Sequence, residues 1–74
     1  MNKIIKILDL HGKRHEEVEN EVENFVLLNP CPLTIVTGNS LRMQEMVKRI
    51  LNKYNLRYSY SSDLNLGSLF VTDY

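Results

Sequence analysis

Apolar residues along this chain keep two different rhythms. Ile4, Ile5, Ile7, Leu8 and Leu10 form a nearly continuous run, rich in β-branched side chains, that stops at Gly12. Such a run predicts a strand covered on both faces, or nearly so. Val18, Val22, Phe25 and Val26 then recur at i, i+4, i+7 and i+8. That spacing draws one stripe on a helix and leaves the glutamates on its outer face. Glu16 and Glu17 fall in the first turn, where the helix dipole favours negative charge. Asn29-Pro30-Cys31-Pro32 ends the helix, because proline cannot continue the hydrogen-bond ladder.

The second half repeats the alternation. Leu33-Thr34-Ile35-Val36-Thr37 predicts another buried strand, closed by Gly38, with Asn39 or Ser40 as the N-cap of a second helix. Met43, Met46, Val47, Ile50, Leu51 and Tyr54 carry the strongest helical period in the chain, and the methionines read as core filler. Asn55 predicts a left-handed stop. Leu56 to Tyr60 alternates as a strand, and Leu69 to Thr72 makes a final one. The polar segment Ser61 to Gly67 between them predicts an antiparallel hairpin. The order is βαβαββ. Helices between strands imply right-handed crossovers and mostly parallel neighbours. The expected fold is an α/β two-layer sandwich, with a mixed four-stranded sheet and two helices, in a single domain spanning residues 1–74.

Composition narrows the function classes. A chain of 74 residues has room for one domain, and 43% hydrophobic with 24% charged residues is ordinary for a globular protein. No run approaches the roughly 18 apolar residues of a membrane span. Lys3 and Lys6 interrupt the N-terminal segment too soon for a signal peptide. The single cysteine, Cys31, allows no internal disulfide, which fits a reducing cytoplasm, and it reads as a packed loop residue. Net charge is zero, but five of the nine acids (Glu16, Glu17, Glu19, Glu21, Glu23) share one segment. The other four (Asp9, Glu45, Asp63, Asp73) stand against nine Lys and Arg, a surplus of five positive charges from which a basic face could be built.

Candidate chemistry gathers at two strand ends. In open α/β sheets, ligands bind outside the carboxyl ends of parallel strands. The first strand ends in Asp9-Leu10-His11-Gly12, the second in Thr37-Gly38-Asn39-Ser40. If the strands are neighbours, Asp9 and His11 lie beside a glycine turn that opens a helix. A carboxylate near an imidazole can orient it, or act as base while histidine acts as acid. Gly38 permits a tight turn, and free N–H groups at the helix start can hold a phosphate oxygen. The same residues also admit plainer roles, Asp9 as a cap or turn former and His11 as a packed imidazole.

These segments resemble a known family. Leu8-Asp9-Leu10-His11-Gly12 is similar to the L-D-L-H-G signature that opens Smr (small MutS-related) domains, and Thr37-Gly38-Asn39-Ser40 falls where that family has T-G-x-G. Val47-Lys48-Arg49-Ile50-Leu51 resembles its V-x-x-W-L stretch, and Asn65-Leu66-Gly67 its N-x-G. The resemblance runs over almost the whole chain. It implies a fold similar to the C-terminal domain of bacterial translation initiation factor three, and a nuclease that nicks DNA or cleaves RNA, including messenger RNA on stalled ribosomes. It assigns catalysis to Asp9 and His11, and a phosphate-facing turn to Gly38 with Thr37 and Asn39. Gly12, Ser40 and Arg42 complete the expected phosphate-binding set. Ser40 replaces the second glycine, Asn39 stands where lysine is frequent, and the following loop is cut short, so Arg42 is the candidate replacement cation. His15 matches no motif and reads as a surface residue.

The expected function is therefore an RNA endonuclease, with DNA nicking as the less favoured activity. The alternative is a non-catalytic module that binds RNA or the ribosome. A third reading is an adaptor that captures partners through the acidic helix around Glu16 to Glu23. A divalent ion such as magnesium at Asp9 stays open, but one carboxylate makes a poor cage and no dedicated metal site is expected. Nucleic acid is the expected partner, with no membrane.

Overall fold

Each predicted element forms, in the predicted order. The computed structural model describes residues 5–62 and 65–73. It contains β1 (Lys6–Asp9), α1 (His15–Leu28), β2 (Leu33–Val36), α2 (Leu41–Lys53), β3 (Arg57–Ser62) and β4 (Asn65–Thr72). The four strands make one mixed sheet in the order β1-β2-β4-β3. Leu33, Ile35, Leu69 and Val71 of the sheet share one buried cluster with Val18 and Val22 of α1 and Met43, Val47, Ile50 and Leu51 of α2. Both helices therefore cover the same face, and the fold is an α/β two-layer sandwich.

Local signals set the element ends. Ser40 is the N-cap of α2, its hydroxyl accepting the Met43 N–H at 3.2 Å. At the other end Asn55 takes φ 58°. The Leu56 N–H returns to the Leu51 carbonyl at 2.9 Å and the Asn55 N–H to Asn52 at 3.1 Å, the paired bonds of a Schellman stop. In α1, the Asn29 side chain caps the last turn by donating to the Phe25 carbonyl at 2.9 Å.

Three sequence expectations need correction. The first strand is not covered on both faces. β1 lies at the edge of the sheet, and Ile7 is 65% and Ile5 42% exposed. An apolar run reports local composition, and no residue within it says whether a further strand or helix will cover the outer side. Ile4 lies outside the described residues. Second, only β1 and β2 pair parallel; β4 inserts antiparallel between β2 and β3. Third, the hairpin strands are longer than expected, with Ser62 paired to Asn65. Gly67 thus belongs to β4 rather than to a polar turn, and Asp63 and Leu64 lie outside the described residues.

Candidate functional site

The parallel pairing of β1 with β2 sets Asp9 opposite Val36, so both strands end at one place. Beyond Asp9 the chain turns at once. Leu10 is fully buried, and the Lys13 N–H closes onto the Leu10 carbonyl at 2.9 Å, with Gly12 at φ +80° in the third position of the turn. That position of a type II turn requires positive φ and hence favours glycine. The Asp9 carboxylate steadies this corner: Oδ1 accepts the backbone N–H of His11 at 2.9 Å. Its contact is with the main chain of His11, not with the imidazole. Asp9 and His11 are both exposed, so the site is an open corner of the sheet.

The His11 ring lies against Gly38. A Cβ placed on Gly38 would stand 3.4 Å from His11 Cδ2, and Gly38 itself has φ +70°. The glycine therefore lets the turn close and lets the imidazole approach backbone. The sequence-predicted constellation of Asp9, His11, Gly12 and Gly38 is thus brought together. Thr37 is buried, and its hydroxyl is shared between the carbonyls of Gly38 at 3.0 Å and Gly67 at 3.2 Å. It shapes the turn from inside.

Donors for an anion are fewer than the sequence suggested. The Thr37 and Gly38 N–H groups both go to the Gly67 carbonyl, at 2.7 and 3.0 Å. Ser40 consumes the N–H of Met43. The amides of Asn39, Ser40, Leu41 and Arg42 remain without an acceptor among the described residues, as the first turn of a helix leaves its N–H groups unpaired. Arg42 follows them on α2, where it borders a surface depression with Leu41, Glu45, Met46 and Arg49. Part of the surplus of cations is spent in ion pairs or divided between the sheet edges, while Arg42, Lys48 and Arg49 share α2. Lys13, Arg14 and Lys53 pair with Glu21, Glu16 and Glu23, while Lys6 and Arg57 sit on opposite edge strands. The bond to Glu21 and the charge of that carboxylate hold the Lys13 ammonium above its ordinary pKa. His15 opens α1 half-buried.

Two residues of this corner were not singled out as site residues from the sequence. Gly67 leaves no room for a Cβ beside the Gly38 backbone and supplies the carbonyl that anchors the turn. Its signal was the N-x-G resemblance, which carried no mechanism until β4 was seen beside β2. Gln44 is buried in α2, donates Nε2 to the Gly38 carbonyl at 3.3 Å, and accepts from the Tyr60 hydroxyl at 3.3 Å. A polar residue in step with Val47 and Leu51 on the apolar stripe was the available cue. Such a group is retained inside only where hydrogen bonds satisfy it.

Among the described residues no three His, Cys, Asp or Glu side chains gather as a metal site. Cys31 is half-buried, and burial, aided by the Asp73 carboxylate, pushes its thiol above the ordinary value. Only the thiolate reacts with alkylating reagents. Iodoacetamide labelling at mildly alkaline pH should accordingly run slower for the folded protein than for free cysteine; an equal or faster rate would contradict the packed-loop reading. Among the described residues no helix is long and apolar enough to cross a membrane.

Searches against protein-family models, curated proteins and solved structures return no match for this chain. Fold and geometry therefore define the class: a two-layer α/β domain with an Asp-x-His strand end beside a glycine-hinged helix start.

Proposed function

We propose that this protein is an endonuclease acting on RNA, with DNA nicking as the lesser activity, and that Asp9 and His11 carry the chemistry. The observation behind this reading is the contact of the exposed His11 ring with Gly38, next to a carboxylate locked onto the same turn. An open corner admits a polymer backbone where a closed pocket would admit only a small ligand. Asp9 takes the proton of the attacking hydroxyl, and His11 gives one to the leaving oxygen. The unpaired amides of Asn39 to Arg42 face the phosphate as charge develops. RNA is favoured because its 2′-hydroxyl is a built-in nucleophile that needs only an acid and a base. The single cysteine fits action in the cytoplasm.

Incubation of end-labelled RNA with the wild type and with Asp9→Ala tests the proposal. The substitution removes an exposed side chain, so the circular dichroism spectrum should hold while cleavage falls by on the order of 10²- to 10⁴-fold. Equal cleavage by both proteins removes Asp9 from the mechanism. Running the assay with and without chelator decides between metal-assisted hydrolysis and metal-free attack.

One observation favours the second reading, a non-catalytic module that binds RNA or the ribosome. The N–H groups of Gly38 and Met43 are spent inside the fold, which leaves less to stabilise an oxyanion. Salt-sensitive RNA binding without any cleavage would select it.

A further inference from the structure

We propose that the free edge of β1 is a self-complementary docking strand, on which two copies of this chain pair antiparallel about a two-fold axis at Ile7. This inference is independent of the nuclease reading.

Among the described residues the sheet order leaves one side of β1 unpaired. The Leu10 N–H reaches the Val36 carbonyl at 2.8 Å, which fixes the alternation. Even-numbered residues of this strand turn their main-chain groups to β2, so those of Ile5, Ile7 and Asp9 point outward. Such a row is a template for another strand, and proteins ordinarily blunt it with charge, proline or a bulge. Here the row carries Ile5 and Ile7, at 42% and 65% exposure.

Beside the strand lies a groove of about 350 Å³ between β1 and α1. Leu8, Phe25 and Leu28 supply its apolar lining, and Glu21, Asn24 and Asn29 its polar one. Glu21 binds Lys13 through Oε1 at 2.9 Å, while its Oε2 is out of solvent and has no hydrogen-bond partner among the described residues. A buried carboxylate oxygen without a partner is costly, and a cation is the group that best relieves it.

An antiparallel pair closes about a two-fold axis at either a hydrogen-bonded or a non-hydrogen-bonded residue pair. The hydrogen-bonded choice is the one that brings Lys6 opposite the groove-lining Leu8, and it falls on a residue whose main-chain groups face outward. Ile7 is the one nearest the middle of the strand. With that centre, Lys6 of each copy stands opposite Leu8 of the other. Lys6 and Leu8 pair in register with the buried Leu33 and Ile35, so both project to the helix side of the sheet. Each Lys6 ammonium is thereby carried over the other copy's groove, toward Glu21. Lys6 has no ion pair of its own among the described residues. On the opposite face the two Ile7 side chains meet across the axis. The edge thus supplies both halves of the match, an unpaired lysine and an unpartnered carboxylate oxygen, which points to a second copy rather than a foreign strand. Zero net charge opposes no such approach. A strand this short buries less than the roughly 1,600 Å² of a standard interface, so the association is weak and concentration-dependent.

Sedimentation velocity from micromolar to millimolar chain tests the proposal, with the expected result a shift from one to two chains per particle. Ile7→Lys sets like charges at the axis from an exposed position, and Lys6→Glu sets a carboxylate over Glu21. Each should raise the dimer Kd by about tenfold or more, a change of roughly 1.4 kcal/mol, with an unchanged circular dichroism spectrum. A single chain per particle at every concentration overturns the proposal, as does a dimer that neither substitution weakens.

Discussion

Gly67→Ala should cost about 1–3 kcal/mol of stability, the usual range for overpacking a close contact, and disable the functional corner along with it. A Cβ at this position would stand 3.0 Å from the carbonyl carbon and oxygen of Gly38 and 3.1 Å from its Cα. All three are backbone atoms, so none can rotate away as a side-chain tip would. Either β4 or the turn must move. The Gly67 carbonyl accepts from Thr37 N, Gly38 N and the Thr37 hydroxyl at 2.7, 3.0 and 3.2 Å, and every one of these bonds lengthens when the strands separate. The displaced atoms are those of Gly38, against which the His11 ring rests, and misplacing a catalytic group by about 1 Å can cost roughly 100-fold in rate. Gly12→Ala is the matched control. A Cβ there meets nothing within 4 Å, although φ is +80°, so it carries backbone strain without a clash. Urea titration and RNA cleavage on both variants test the argument. A Gly67→Ala protein with wild-type midpoint and wild-type cleavage would show that the approach of β4 to the turn has no consequence.

The second large effect is expected at Ile35. It is fully buried on β2, between Leu8 of β1 and Leu69 of β4 in the sheet register. Ile35→Ala removes buried methyl groups and leaves a cavity under both helices, at about 2–5 kcal/mol. At about 0.05–0.15 kcal/mol per residue, a chain of 74 residues has about 4–11 kcal/mol in all. The substitution therefore removes a large share of the total. The urea midpoint should fall steeply, and amide protection should be lost in the sheet as a whole because β2 touches both β1 and β4. Ile7→Ala, on the same sheet at an exposed edge position, should change the midpoint little. Equal losses at the two positions would mean that burial does not distinguish them.

The readable part of the candidate site was its chain positions. Asp9, His11, Gly12 and Gly38 stand at the ends of strand-like runs, and Gly38 takes the positive φ of the tight turn read there, as Gly12 does at the stop of the first run. Roles were less legible than places. The sequence offered the Asp9 carboxylate as an orienter of the imidazole, and the fold turns it to the His11 main chain instead. It offered Gly38 as an anion donor, and the fold spends that N–H on Gly67. Gln44 offered only its place on the apolar stripe in step with Val47 and Leu51; its role is set by Gly38 and Tyr60, partners that no local pattern names.

By itself the sequence determined the six elements, their order, the apolar stripes of both helices, the start of α2 at Asn39 or Ser40 and its stop at Asn55. Each of these depends on residues a few positions apart, where helical and extended chains impose their own periods and caps. Tertiary structure alone decided that β1 would be an exposed edge, that β4 would enter between β2 and β3, and that Gly67 would meet Gly38. Those outcomes turn on contacts such as the one between Thr37 and Gly67, 30 positions apart in the chain. No local period encodes which strand becomes a neighbour. That choice is made where main-chain hydrogen bonds and shared apolar surface across the whole domain are satisfied together.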